Sequence, residues 1–252
     1  IPHTRCGKLV IATHDHEVPE LDRVRRMAHD NGVTSLVPVD AEFIRAREPN
    51  VRAIAGLWSP DTGIVEAEAL IKALEHVCRA HDAAIVVGSP LVGAAPHADG
   101  IEVATPHERI VASTVVNAAG LYADTVSAML GAERFQIYPC RGEYAELKPS
   151  RRHMVNGLVY PLPHHSGAGL GVHVTKTTWA SVMLGPTIHY QDAKDDYEGG
   201  RIPLEDFLEP SQQLLPWLTL ADLQPGGSGI RAKLHGPDQK FADFLIERDR
   251  LN

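Results

Sequence analysis

Long apolar runs are lacking. Nothing in the 252 residues approaches the roughly 18 consecutive apolar positions of a membrane-spanning helix, and no secretory leader pattern opens the chain. The sequence starts at Ile1 and not at Met, so a processed chain, a fragment and a part of a longer region all stay open. Positive charge is short too. Lys and Arg total 24 against 32 Asp and Glu, a net charge of −8, which lacks the electrostatic footprint of a nucleic-acid binder. The densest basic patch, Arg23, Arg25 and Arg26, reads as a solvated helix face. Cys6, Cys78 and Cys140 are an odd number, lie far apart and form no CxxC. Reduced, mostly buried thiols in a cytoplasmic protein are expected. Several nucleotide and nucleophile motifs are also missing. There is no G-x-S-x-G, no Walker A loop and no G-x-G-x-x-G. Gly226-Gly227-Ser228-Gly229 has the wrong spacing for the first. Gly169-Leu170-Gly171 runs on into Thr175 and Lys176, where a third glycine and a helix start are needed.

The patterning present is that of an ordinary globular protein, 44% hydrophobic and 22% charged, long enough for one large domain or two intimate ones. KLVIAT (8–13) reads as a buried strand, and Val18, Leu21, Val24 and Met27 as a helix stripe ending at Asn31-Gly32. Asp40 is placed to cap a second helix before Pro49. AIAGLWS (53–59) is a strand, and 65–81 is the strongest amphipathic helix. AAIVVGS (83–89) predicts a strand buried on both faces. Residues 91–114 predict strands around an Asp99-Gly100 turn. From Pro139 the pieces CRGEYAEL, GLVYPLP, GLGVHVTKT and ASVMLGPT predict an antiparallel sheet. Residues 189–205 read as a polar loop and Pro210–Leu223 as a helix interrupted at Pro216. Pro225–Gly229 reads as a glycine-rich turn and FADFLIER as a final strand. An α/β nucleotide-type domain interleaved with an antiparallel α+β domain explains this order.

Two constellations invite chemistry. Thr13-His14-Asp15-His16 carries an HxH spacing, and His164-His165 adds a pair, but no second cluster matches; scattered surface histidines or a helix start explain them as well. No metal is expected. Asn117-Ala118-Ala119-Gly120, after Val115 and Val116, puts small residues between a predicted strand and a helix at 121–130. Either the two elements pack closely there, or a dinucleotide lies against the backbone.

VVNAAGLYAD (115–124) resembles the second nucleotide-contacting segment of FAD-dependent oxidoreductases of the D-amino-acid oxidase superfamily. RCGKLVIAT (5–13), REPNV (47–51), PDTGIV (60–65), RGEY (141–144), LVYPLP (158–163), LGVHVT (170–175), LGP (184–186) and GIRAK (229–233) follow in order. Together they are similar to the L-2-hydroxyglutarate dehydrogenase/oxidase family, over residues of about 5 to 248. That family's opening GxGxxG unit and its closing segment are not among these residues, which resemble its middle. The resemblance implies an incomplete FAD-binding domain of the glutathione-reductase type, interleaved with an antiparallel-sheet substrate domain. Residues 1–64 and 135–224 would form the substrate domain, and 65–134 and 225–252 the FAD domain.

The implied reaction is hydride transfer from C2 of a 2-hydroxy acid, foremost L-2-hydroxyglutarate, to FAD. It needs a cation for the carboxylate, a base for the hydroxyl proton and a shielded flavin. The resemblance places His173 as base. Arg231 is placed on the C1 carboxylate, Lys233 on the second carboxylate or the flavin, and Tyr160 and Arg141 along the substrate or flavin cavity. Ala118, Ala119, Gly120 and Val92 fall on the adenosine side of FAD, and Thr62, Gly63 and Ile64 near the flavin. On residue type alone, Arg231 equally suits a structural salt bridge, Arg141 a brace for the sheet, and His173 a satisfied core position. The electron acceptor is oxygen or a quinone chain, and a membrane-peripheral location stays open. A related enzyme acting on an amino acid or glycerol 3-phosphate, and a non-catalytic binding module, are the rival readings.

Overall fold

The structure is a computed structural model and describes residues 1–163, 171–239 and 242–249. His164, His165, Gly169 and Leu170 of the motifs above lie outside the described residues.

The chain forms two compact units. The first takes 1–74, 142–188 and 198–229; the second takes 75–141, 189–197 and 230–252. A sheet runs in the order Tyr138–Leu147, Val182–Gly185, His173–Lys176, Val159–Pro161, Lys8–Ala12, Ala55–Ser59, Val37–Asp40, and all of these residues but 138–141 belong to the first unit. Alternation built it. Leu9, Ile11, Val159, Val174, Val182, Leu184, Ala145 and Leu147 all turn to one face and pack with Phe207, Leu214, Leu215 and Leu218. Burying one such side chain contributes about 1.5–3 kcal/mol, so this layer dominates the unit. On the other face Ala12 and Leu57 pack with Leu21 of the helix Val18–Asp30. Asp40 caps the helix Ala41–Arg47, its side chain accepting the Phe43 N–H at 2.8 Å.

Every pairing along that path is antiparallel except one. Val159–Pro161 lies parallel to Lys8–Ala12, which makes the expected antiparallel sheet a mixed one. Parallel neighbours need a long crossover, and most of the chain lies between these two.

The second unit carries a three-stranded antiparallel sheet, Gly93–His97, Gly100–Ala104 and Arg109–Ala112, with the turn at Asp99-Gly100 as expected. His189–Tyr190, inside the predicted loop, pairs with Arg141 and Cys140. Here the sequence also misleads. Residues 83–89 and 115–116 are not strands, and Val87 and Val116 are 83% and 84% exposed. A buried strand needs ladder partners on its edges. Among the described residues none pairs with either segment. Residues 242–249 are likewise not a strand, and Phe244 and Ile246 stand in solvent.

Pro225–Gly229 is not a turn. It lies inside the extended strand Leu223–Lys233, which pairs with Tyr138–Leu147. Glycine is needed at 226 because a Cβ there would stand 2.7 Å from the Tyr144 carbonyl oxygen. Of the cysteines, all free, only Cys140 is buried; Cys78 is exposed on the helix Ala67–Ala80, whose Leu74 and Val77 are exposed as well.

Candidate functional site

Three neighbouring strands of the first unit build the best-formed group. Leu9, Val159 and Val174 point into the core, so the period of two sends Lys8, Tyr160 and His173 to the opposite face. Tyr160 sits on the middle strand. Its ring stacks on His173 with centroids 3.9 Å apart and planes 18° apart. From the other neighbouring strand, the Lys8 Nζ lies 4.9 Å from the Tyr160 centroid. His173 is only 8% exposed. Burial pulls the Lys8 ammonium below its ordinary pKa.

The strand carrying Tyr160 is anchored by a buried carboxylate. Glu48 is 3% exposed and accepts the Asn156 N–H through both oxygens, at 3.2 and 3.0 Å. Burial raises its pKa against the opposing pull of the Asn156 and Gly157 amides and the Lys176 charge. Around it, Asn156 Nδ2 donates to the Arg47 carbonyl at 2.7 Å, and Asn50 Nδ2 to the Met154 carbonyl at 3.0 Å. The segment 47–50 thus fixes 154–157, immediately before Val159–Pro161.

The other residues named from sequence fall in separate places. Thr62–Ile64 packs on the N-terminal segment: Gly7 donates its N–H to the Thr62 carbonyl at 2.8 Å, and Ile64 pairs with Thr4. A Cβ at Gly63 would stand 2.8 Å from the Thr4 oxygen, so close backbone approach already accounts for that glycine. In the second unit Arg141 is buried, donates to the Asp196 carbonyl at 3.3 Å and lies 4.0 Å from its carboxylate. Lys233 donates to the Tyr190 hydroxyl at 3.3 Å, and His235, buried, lies 3.5 Å from the same oxygen. Arg231 is exposed on the same strand.

Ala118, Ala119 and Gly120 are exposed in the second unit. Gly120 has φ +55°, and a Cβ built there would meet nothing within 4 Å. Asn117 fixes this corner, donating to the Ala123 carbonyl at 2.8 Å. Val92, in the same unit, is 54% exposed.

The HxH segment is a turn. Glu17 accepts the backbone N–H of Thr13 and His14 at 2.7 and 3.0 Å, starting the helix Val18–Asp30. Burial works to raise the Glu17 pKa, but these bonds hold it low. Among the described residues no group of three or more His, Cys, Asp or Glu is placed to hold a metal ion. Nor, among them, is any helix long and apolar enough to cross a membrane.

Sequence reasoning missed Lys8 and Glu48. Lys8 opens an apolar strand, and that strand reads only as buried. The period of two, once Tyr160 and His173 were singled out, was the signal that could have found it. Glu48 reads as a helix-end charge, and nothing in the sequence announces a partner more than a hundred residues away.

An open mixed sheet flanked by helices, with a second unit holding a small antiparallel sheet, defines an α/β fold. Solved structures share it. L-alpha-glycerophosphate oxidase from Mycoplasma pneumoniae with FAD bound superposes with a TM-score of 0.81 at 20% identity, over 92% of this chain and 62% of that one. Glycine oxidase from Geobacillus kaustophilus gives a TM-score of 0.75 at 19% identity, over 93% and 60%. A family model described as FAD dependent oxidoreductase matches residues 1–251. The chain belongs to that family. Its curated relatives include L-2-hydroxyglutarate dehydrogenase of Escherichia coli O17:K52:H18 (strain UMN026 / ExPEC), 30% identical over 98% of this chain. The mitochondrial L-2-hydroxyglutarate dehydrogenase of Caenorhabditis elegans is 28% identical, also over 98%. The chain spans 66% of the length of each of these two relatives.

Proposed function

We propose that the chain takes part in FAD-dependent oxidation of a 2-hydroxy acid, with L-2-hydroxyglutarate converted to 2-oxoglutarate. The observation that carries this reading is the His173–Tyr160 stack beside Lys8. It gathers an imidazole, a phenol and an ammonium on one sheet face of a chain from a flavin-dependent family. The relatives named above support the choice of substrate.

In this reading His173 takes the hydroxyl proton of the substrate. An imidazole can titrate near neutral pH, and the Tyr160 ring fixes its plane. Arg231 holds the C1 carboxylate, a task for which a planar fork of donors is suited. Arg141, whose guanidinium donates to the Asp196 carbonyl, and Lys233, which donates to the Tyr190 hydroxyl, serve the substrate or the flavin in this reading. Ala118, Ala119 and Gly120 take the adenosine end of FAD, with Val92 beside the adenine, and Thr62, Gly63 and Ile64 lie on its flavin side. When bound, FAD supplies the hydride acceptor. Oxygen or a quinone chain would serve as the electron acceptor. Residues 1–64 and 135–224 serve the substrate, and 65–134 and 225–252 the cofactor.

The test is steady-state oxidation by FAD-supplemented protein, followed by dye reduction. L-2-hydroxyglutarate, glycine and glycerol 3-phosphate are compared at saturation. Saturable turnover of the hydroxy acid alone is expected. No turnover of any 2-hydroxy acid overturns the reading.

A further inference from the structure

The Lys8 ammonium is half-buried, yet among the described residues it has neither a hydrogen bond nor an ion pair, and it lies over the Tyr160 ring. Holding a cation out of water without a counter-charge costs free energy, and a ring face returns only part of it. Burial depresses its pKa, the same cost seen from the proton's side. Other buried charges of this unit are matched. Glu48 accepts amides, Asp222 meets Arg151 at 2.6 Å, and Glu143 accepts the Ile202 N–H at 3.1 Å. Lys8 therefore stands out as a cation awaiting an anion. That anion must enter on the face that carries Tyr160 and His173, because Leu9 and Ile11 close the other.

We propose that Lys8 is a specificity-determining residue that binds the carboxylate of a dicarboxylic hydroxy acid remote from the reacting carbon. This rests on the hydroxy-acid reading above and extends it. Tyr160 is the spacer: His173 from one neighbouring strand stacks on its ring and Lys8 from the other lies over it, so a substrate spanning this side-chain row meets a base at one end and a cation at the other. A monocarboxylic hydroxy acid would reach His173 and leave Lys8 uncompensated. The chain therefore selects a diacid by leaving one cation unmatched in its absence.

The test is calorimetric titration of the 252-residue chain with two redox-inert probes. Glutarate is the dicarboxylate, and pentanoate is the monocarboxylate of equal carbon number. The wild type should bind glutarate about tenfold or more tightly, the size of one charge-assisted contact. Lys8→Met and Lys8→Gln should abolish the difference, and Lys8→Arg should keep it. The Gln variant covers the case in which Met perturbs the strand. A glutarate preference that survives in either folded neutral variant overturns the proposal, as does a wild type that fails to prefer glutarate. A Lys8-dependent preference with no oxidation of any hydroxy acid supports the diacid site and sinks only the oxidation reading.

Discussion

Replacing Glu48 by Ala tests how Tyr160 is held. The carboxylate is 3% exposed and satisfies the amides of Asn156 and Gly157. Removing it strands both N–H groups inside the protein, at about 1–3 kcal/mol each, less what the wild type loses by burying a charge. A net destabilisation of about 2–4 kcal/mol is expected in mild acid. The sign with pH follows from the raised carboxyl pKa. A raised group contributes stability below its unfolded value, and that contribution is lost as pH rises through its folded value. The alanine variant has no such group. The gap between wild type and variant should therefore be widest in mild acid and narrow as pH rises into the mildly alkaline range. Urea melts of both proteins across that range, followed by tryptophan fluorescence, measure it. Trp217 is a suitable reporter, since its indole N–H donates to the Asn50 carbonyl at 2.9 Å, two residues from Glu48. A gap that widens with rising pH would refute the argument, because it would mean that ionised Glu48 is the favoured form.

Other outcomes follow from the same geometry. His173→Ala should lower kcat by about a hundredfold or more while KM changes little, as steady-state kinetics would show; normal kcat removes His173 as base. Arg231→Met should raise KM for the hydroxy acid about tenfold or more, and an unchanged KM removes it from the carboxylate. Gly7→Ala should destabilise by about 2–4 kcal/mol in denaturant melts. At φ +72° an added Cβ falls 2.1 Å from the Trp58 ring, so both backbone and ring must give. Asp222, held below the usual carboxylate range first by the Thr219 hydroxyl and, against burial, by Arg151, contributes stability above its unfolded pKa that is lost as pH falls. Asp222→Asn should thus be destabilising near neutrality and nearly neutral in strong acid, read from melts at both.

The sheet was legible because its strands alternate. KLVIA, VYP, HVTK and VMLG each put apolar residues on one face, and that pattern survives whatever the strands' neighbours are. The apolar segment 83–89 carried no such information. A continuous run states that cover is wanted but not what supplies it, and Val87 stands in solvent. Glycines were ambiguous for a related reason. Gly226 is small because the Tyr144 backbone presses on it, and Gly120 because its φ is positive, two demands that look alike in sequence. His173 could be singled out as the polar member of an apolar strand, but its stacking on Tyr160 depends on strand order, which no local pattern encodes.

The three-residue strand Val159–Pro161 has a consequence in time as well as in space. It lies between Lys8–Ala12, made first, and His173–Lys176, made much later. During synthesis the edge of Lys8–Ala12 that will receive Tyr160 has no partner until the chain has been extended past Pro161. Such distant closures are slow, and an apolar strand edge left open is a template for pairing with another chain. A lysine stands at the head of that strand, and charge beside an unpaired edge is what discourages pairing with the wrong neighbour.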